Sequence, residues 1–270
     1  LGKDQKIMRR PVGQVGDGGS FQDWFNEIPL ITKVMLVSTL LSGALLSFGW
    51  VNAMKLVLIW PMITSKFEIW RLFTCFIYAG PFSFNFAMHT YVLYENCRRY
   101  EMNPFNTGAG GNSADFLWLL LVSMSALLLV GYSFEMLVLS ESILYVVMYM
   151  WSRREPDAQL NIFGFKFKAL YLPWVYIAIR LVMGGSVTEP LLGIGVGHGF
   201  YFLSEVLPHT EGYHLGPLLR TPGFCVDLMT YCSGGYRPVN TSFTPREQER
   251  PVPQQGQRYQ WGRGRTLGAS

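Results

Sequence analysis

Half of the 270 residues are hydrophobic, 15% are charged, the mean hydropathy is +0.20 and the formal net charge is +4. A soluble domain carries about a quarter charged residues. The composition therefore excludes an ordinary soluble globule, and so small a positive charge gives no argument for a nucleic-acid partner.

In chain order, residues 1–22 are polar and lack the apolar core of a cleavable signal peptide. The first apolar stretch is therefore expected to be its own insertion signal. Six apolar stretches follow. They are 31–49, with Lys33 at its edge; 84–100, carrying Asn85, His89, Glu95 and Asn96; the uncharged 116–132; 136–151, with Glu141; 169–185, with Arg180; and 190–207, with His198 and Glu205. Between the first two, "VNAMKLVLIWPMITSKFEIWRLFTCFIYAGP" is split by Pro61 and the polar "TSKFE". It reads as a loop lying in or on one leaflet. Stretches two to six reach about 24–27 Å at 1.5 Å per residue, against a hydrocarbon core of about 30 Å. Such a mismatch would thin the bilayer or be met by snorkelling flanks. Cys75, Cys97, Cys225 and Cys232 show no CxxC spacing and read as packing or free thiols.

Charge sets the expected topology. With both ends cytosolic, the far side keeps only Lys55, Lys66 and Arg71, and Arg180 lies within a stretch. The rest of the 22 Lys and Arg fall on the cytosolic side, as the positive-inside bias requires. Asn240-Thr241-Ser242, the one N-x-Ser/Thr sequon, is then cytosolic. Native protein should carry no glycan there, and an endoglycosidase-sensitive mobility shift would contradict the topology.

Polar residues in lipid are costly and face a protein interior or a wet cavity. Asn85, His89 and Asn96 share one helical face, and Glu141 and Arg180 fall in mid-stretch. They can cross-bond the bundle and fix its packing, or line a hydrophilic groove that admits polar polypeptide. Gly193-x-x-x-Gly197 permits close helix contact, and His198 beside it reads as a packing and hydrogen-bonding residue. In Trp70-Arg71, the indole suits the headgroup level and the guanidinium fork can bind several loop carbonyls.

Several motifs, in order, resemble the Derlin family of rhomboid-like pseudoproteases of the endoplasmic reticulum. They are "DWFNEIPLITK", "FEIWRLFT", "FGFKFKALYLPWV", "GGSVTEPLLGIGVGHGFYF" and "RTPGF". Trp70-Arg71 matches the family's Trp-Arg motif, and Gly193 and Gly197 match its GxxxG. The resemblance implies an all-α fold: a six-helix rhomboid-like membrane bundle over 23–208, a short cytosolic segment over 209–235 and a disordered tail over 236–270. It also implies a role in retrotranslocating misfolded proteins for endoplasmic-reticulum-associated degradation. The implied partners are a membrane-embedded ubiquitin ligase complex, misfolded clients, the lipid bilayer and other copies or relatives in an oligomer. No cofactor or metal is expected.

The rival reading is an active intramembrane serine protease. Such enzymes carry Gly-x-Ser-Gly with a Tyr four residues after the Ser. In "VLSESILYVV" that Tyr is Tyr145, which puts Glu141 at the nucleophile position and Ser142 at the following Gly. Pro190 falls where the catalytic His belongs. A carboxylate cannot replace an activated serine in acyl transfer, so no catalytic residue is expected. Only an improvised Ser142–His198 pair would restore one. A third reading is a membrane-anchored adaptor with no conducting role.

The tail, rich in Pro, Gly, Gln and Arg, should be disordered. Its end, "WGRGRTLG", resembles the SHP box bound by valosin-containing protein, an AAA unfoldase. Trp261 and Leu267 would then fill pockets, and Gly262, Gly264 and Gly268 would give backbone freedom. Otherwise it is a generic arginine-glycine tail.

Overall fold

A computed structural model of the protein describes residues 21–102, 113–162, 164–207 and 221–232. The chain is mostly helical, and helices cover each of the six apolar stretches. After a short α1 (Phe21–Glu27), the long helices are α2 (Leu30–Ser47), α5 (Phe84–Met102), α6 (Ser113–Ser133) and α7 (Ser140–Arg154), followed by α8 (Leu172–Val182) and α9 (Thr188–Tyr201). Two of these, α2 and α6, are long and apolar enough to cross a membrane by length and composition. Helix α9 continues as a wide π turn over Phe202–Val206.

The region expected as a loop holds two short helices, α3 (Trp60–Lys66) and α4 (Arg71–Ile77). Pro61 in the first turn of α3 suits its missing N–H. Beyond the sixth stretch, α10 (Gly223–Cys232) folds back on α6. There Thr221 donates to Asp115, Phe224 meets Trp118 edge-on, and Cys225 is fully buried. All four cysteines are free thiols.

One departure from an all-α chain is an antiparallel hairpin between α7 and α8, β1 (Gln159–Ile162) with β2 (Phe165–Lys168). Gly164 supplies the positive φ of +88° that its tight turn needs. The Phe-Lys-Phe-Lys alternation of β2 is a strand period, and Leu160, Ile162 and Phe167 pack it onto the core.

Helix α7 is the centre. Every residue from Ser142 to Ser152 is buried, because α4, α5, α6, α8 and α9 all pack around it. Side-chain bonds show which helix ends lie together. The Glu101 carboxylate, at the end of α5, accepts from Ile31 N (3.1 Å), Thr32 N (2.8 Å), Thr32 Oγ1 (2.8 Å) and Ser113 Oγ (2.5 Å). This anion at the start of α2 satisfies N–H groups the helix itself leaves open. At the same end Arg154 donates to Glu205 (2.6 Å) and to the Tyr100 hydroxyl (2.8 Å). The starts of α5, α7 and α9 and the end of α8 meet at the opposite end.

Candidate functional site

At that opposite end lies a chain of ion pairs. His89 Nδ1, on the second turn of α5, donates to Glu141 Oε1 at 3.0 Å. Arg180 Nη1, in the last turn of α8, reaches the same oxygen at 2.7 Å. Arg180 also donates through Nη2 to Glu189 Oε2 (3.1 Å) and through Nε to the Ser186 carbonyl (2.8 Å). The four side chains tie α5, α7, α8 and α9 together. His89, Glu141 and Arg180 line a cavity of about 260 Å³ whose walls also include Asn85, Tyr145 and Tyr176.

Of the five polar candidates, Asn85, His89, Glu141 and Arg180 meet at this cavity. Asn96 does not. It is buried two turns away, where its Nδ2 donates to the Val92 carbonyl at 2.8 Å. Glu141 and Arg180 also lie near helix ends rather than in mid-span, because α7 begins at Ser140 and α8 stops at Val182. Glu189, at a stretch edge, was not singled out by its sequence context. Its pairing with Arg180 arises only when α8 and α9 turn back on each other at Gly184 (φ +78°).

Arg71 sits in the second polar cluster, with its side chain 5% exposed. Its Nη1 donates to the carbonyls of Met54 (2.5 Å) and Val57 (2.8 Å), and its Nε to Glu68 Oε2 (2.6 Å). Thr74 Oγ1 adds a bond to the Leu56 carbonyl (2.8 Å). The segment before α3 is thus held by this guanidinium, by the Thr74 hydroxyl and by the bond from Leu58 N to the Leu137 carbonyl at 2.8 Å. Trp70 instead points outward, half exposed beside Phe67, Ile69 and Phe73. That apolar face suits lipid rather than water.

Gly193 and Gly197 face α7. A Cβ on Gly193 would stand 2.2 Å from the Ser142 carbonyl oxygen and 2.9 Å from Tyr145 Cβ. One on Gly197 would stand 3.3 Å from the Tyr149 ring. Ser142 Oγ donates to the Glu189 carbonyl at 3.0 Å, while His198 Nδ1 pairs with the Tyr149 hydroxyl at 2.8 Å. Glu189 and His198 stand about 13 Å apart along α9 at 1.5 Å per residue. Ser142 and His198 are therefore each engaged, at different levels of the same helix contact. Pro190 is buried in the first turn of α9. Trp261, Gly262, Gly264, Leu267 and Gly268 lie outside the described residues.

The Der1-like family profile matches residues 28–223. The chain is 34% identical over 218 residues to a probable derlin-2 homolog of Dictyostelium discoideum, covering 77% of this chain and 83% of that one. It is 32% identical over 203 residues to Derlin-1.2 of Zea mays (74% and 81%). It is 31% identical over 215 residues to Derlin-2.2 of Arabidopsis thaliana (75% and 85%). With a match that takes in the helices around both polar clusters, this chain is a membrane protein of the Der1-like family.

Proposed function

We propose that the protein is a proteolytically inactive, rhomboid-like factor of endoplasmic-reticulum-associated degradation. Its bundle crosses the reticulum membrane six times with both ends in the cytosol. It guides misfolded proteins from lumen to cytosol, beside a membrane-embedded ubiquitin ligase. An AAA unfoldase of the valosin-containing type, held by the tail through Trp261 and Leu267, then extracts them. The observation that carries this reading is the ion-paired polar cavity set inside an otherwise apolar bundle of a Der1-like chain. Such a cavity offers polypeptide a wet path where lipid offers none. The end bearing Arg98, Arg99, Arg153 and Arg154 is the cytosolic one by the positive-inside bias, which puts the cavity on the lumenal side. The outward Phe67-Ile69-Trp70-Phe73 face then rests in the lumenal leaflet.

The separation of Ser142 from His198, with Glu141 at the nucleophile position, speaks against the protease alternative. Full-length protein in liposomes, given a tagged single-span client, ubiquitin ligase and unfoldase, tests the proposal. The client should leave the membrane intact. Leu267→Ala should cut its release several-fold without disturbing insertion. A cleaved client whose cleavage stops with Ser142→Ala would establish a protease instead. Release unaffected by Leu267→Ala would reduce the tail to a generic cationic segment.

A further inference from the structure

Helix α10 has three faces. Cys225 and Met229 are buried where α10 packs on α6. Gly223, Asp227 and Thr230, at i, i+4 and i+7, fall on the face turned away from α6, and Asp227 is the only charge in the helix. Phe224, Leu228 and Tyr231 repeat that spacing along the flank between, where they are 58%, 47% and 87% exposed. An apolar stripe of this kind is not a face for water. Its level in the membrane follows from α6. The outward stripe of α6 runs through Trp118, Leu121, Ser125, Leu129 and Tyr132, with its two aromatic ends about 21 Å apart at 1.5 Å per residue. Trp and Tyr settle at the two headgroup levels, and Trp118 marks the one at the start of α6. Phe224 meets Trp118 edge-on, with ring centroids 6.3 Å apart, and Thr221 donates to Asp115 one turn nearer that start. The open flank of α10 therefore begins where the outward stripe of α6 ends. Ten residues reach about 15 Å, half of a hydrocarbon core, so α10 lies along the boundary and not across it.

We propose that α10 is an interfacial anchor whose Phe224-Leu228-Tyr231 flank is sunk among the lipids of the cytosolic leaflet. The proposal rests on the topology given above and adds to it a fixed root for the tail. An interfacial helix buries its apolar face about 5–10 Å into the headgroup–acyl boundary while its polar face meets water. Here Gly223, Asp227 and Thr230 take the water side. Three side chains on so short a helix fall well short of the roughly 800 Å² per partner of a stable protein interface, which favours lipid over a second chain. With Cys225 and Met229 on α6 and the flank in lipid, the helix is held from two sides. Cys232, from which the chain runs on to the tail, is thereby fixed at the membrane surface beside α6. A pull on the tail is then resisted by bundle and lipid together before it reaches the end of α9.

Thiol accessibility in the full chain tests this. Asp227→Cys, Leu228→Cys and Tyr231→Cys are made singly together with Cys232→Ser, since Cys75, Cys97 and Cys225 are buried. In intact microsomes a membrane-impermeant maleimide should label Asp227→Cys about tenfold faster than Leu228→Cys or Tyr231→Cys, the scale of burying one apolar side chain. Unfolding in dodecyl sulfate should make all three label alike. The same contrast should hold for the purified chain in nanodiscs that carry one copy each. Equal labelling of the three in microsomes would overturn the anchor and leave the topology standing. Labelling of none until the microsomes are opened would place α10 in the lumen and overturn the topology with it. Protection of Leu228→Cys and Tyr231→Cys in microsomes but not in nanodiscs would show that another protein covers the flank, which also overturns the proposal.

Discussion

Gly193→Val should cost about 3 kcal/mol and separate α9 from α7, the most damaging single change expected in the bundle. Even the first atom of a side chain at 193 would stand 2.2 Å from the Ser142 carbonyl oxygen. Backbone cannot yield there as the end of a flexible side chain can. Overpacking of a dense interior costs about 1–3 kcal/mol, and the two branches of valine put the change at the top of that range. Gly193→Ala should be milder, because alanine returns up to about 1 kcal/mol of helix propensity. Gly195, two residues on, has nothing within 4 Å of a built Cβ. Gly195→Ala should therefore stabilise by up to about 1 kcal/mol. Thermal unfolding of the four proteins in one detergent gives the ranking directly. Gly193→Val as stable as Gly195→Ala would mean that the α7–α9 contact is not close-packed.

Arg71→Ala should release the segment before α3 at a cost on the order of 3 kcal/mol, the scale for breaking a buried ion pair. It strips the partner from Glu68, which is itself only 20% exposed, and leaves the Met54 and Val57 carbonyls without their donor. The loss is local, because α4 keeps the bond from Leu139 N to the Cys75 carbonyl at 3.0 Å and Ser42 Oγ keeps the Ile77 carbonyl at 2.9 Å. Hydrogen exchange should therefore rise over residues 52–70 while α7 stays protected, and client clearance should fall with the protein still inserted. Arg71→Lys should recover only part of the protection, since a point charge lacks the planar fork that spans a carboxylate and two carbonyls at once. Unchanged exchange over 52–58 in Arg71→Ala would show that the guanidinium does not hold this segment.

Both polar clusters show what a sequence can and cannot indicate. Arg71, His89, Glu141 and Arg180 stand out because an ionisable residue in an apolar run carries a desolvation cost wherever the chain places it. Their acidic partners do not stand out in the same way. Glu68 lies within a polar interruption, and Glu101 and Glu189 lie at stretch edges, where a carboxylate is unremarkable in solvent. Glu101 becomes a helix cap only because the end of α5 lies beside the start of α2, some seventy residues away in sequence. Asn96 shares a helical face with Asn85 and His89, yet it turns its amide onto its own helix at Val92. Periodicity gives azimuth along one helix but not what stands opposite it.

The sequence by itself determined that the chain belongs in lipid, where its apolar stretches run, and which motifs place it with the Der1-like proteins. Those properties are local, because they depend on composition within a window and on the spacing of a few residues. Tertiary structure alone decided that α7 would be the helix enclosed on every side and that α10 would return to α6. It also decided that Glu141 would share one oxygen between His89 and Arg180. These outcomes depend on how helices far apart in the chain meet, and a contact between surfaces is written in no single segment.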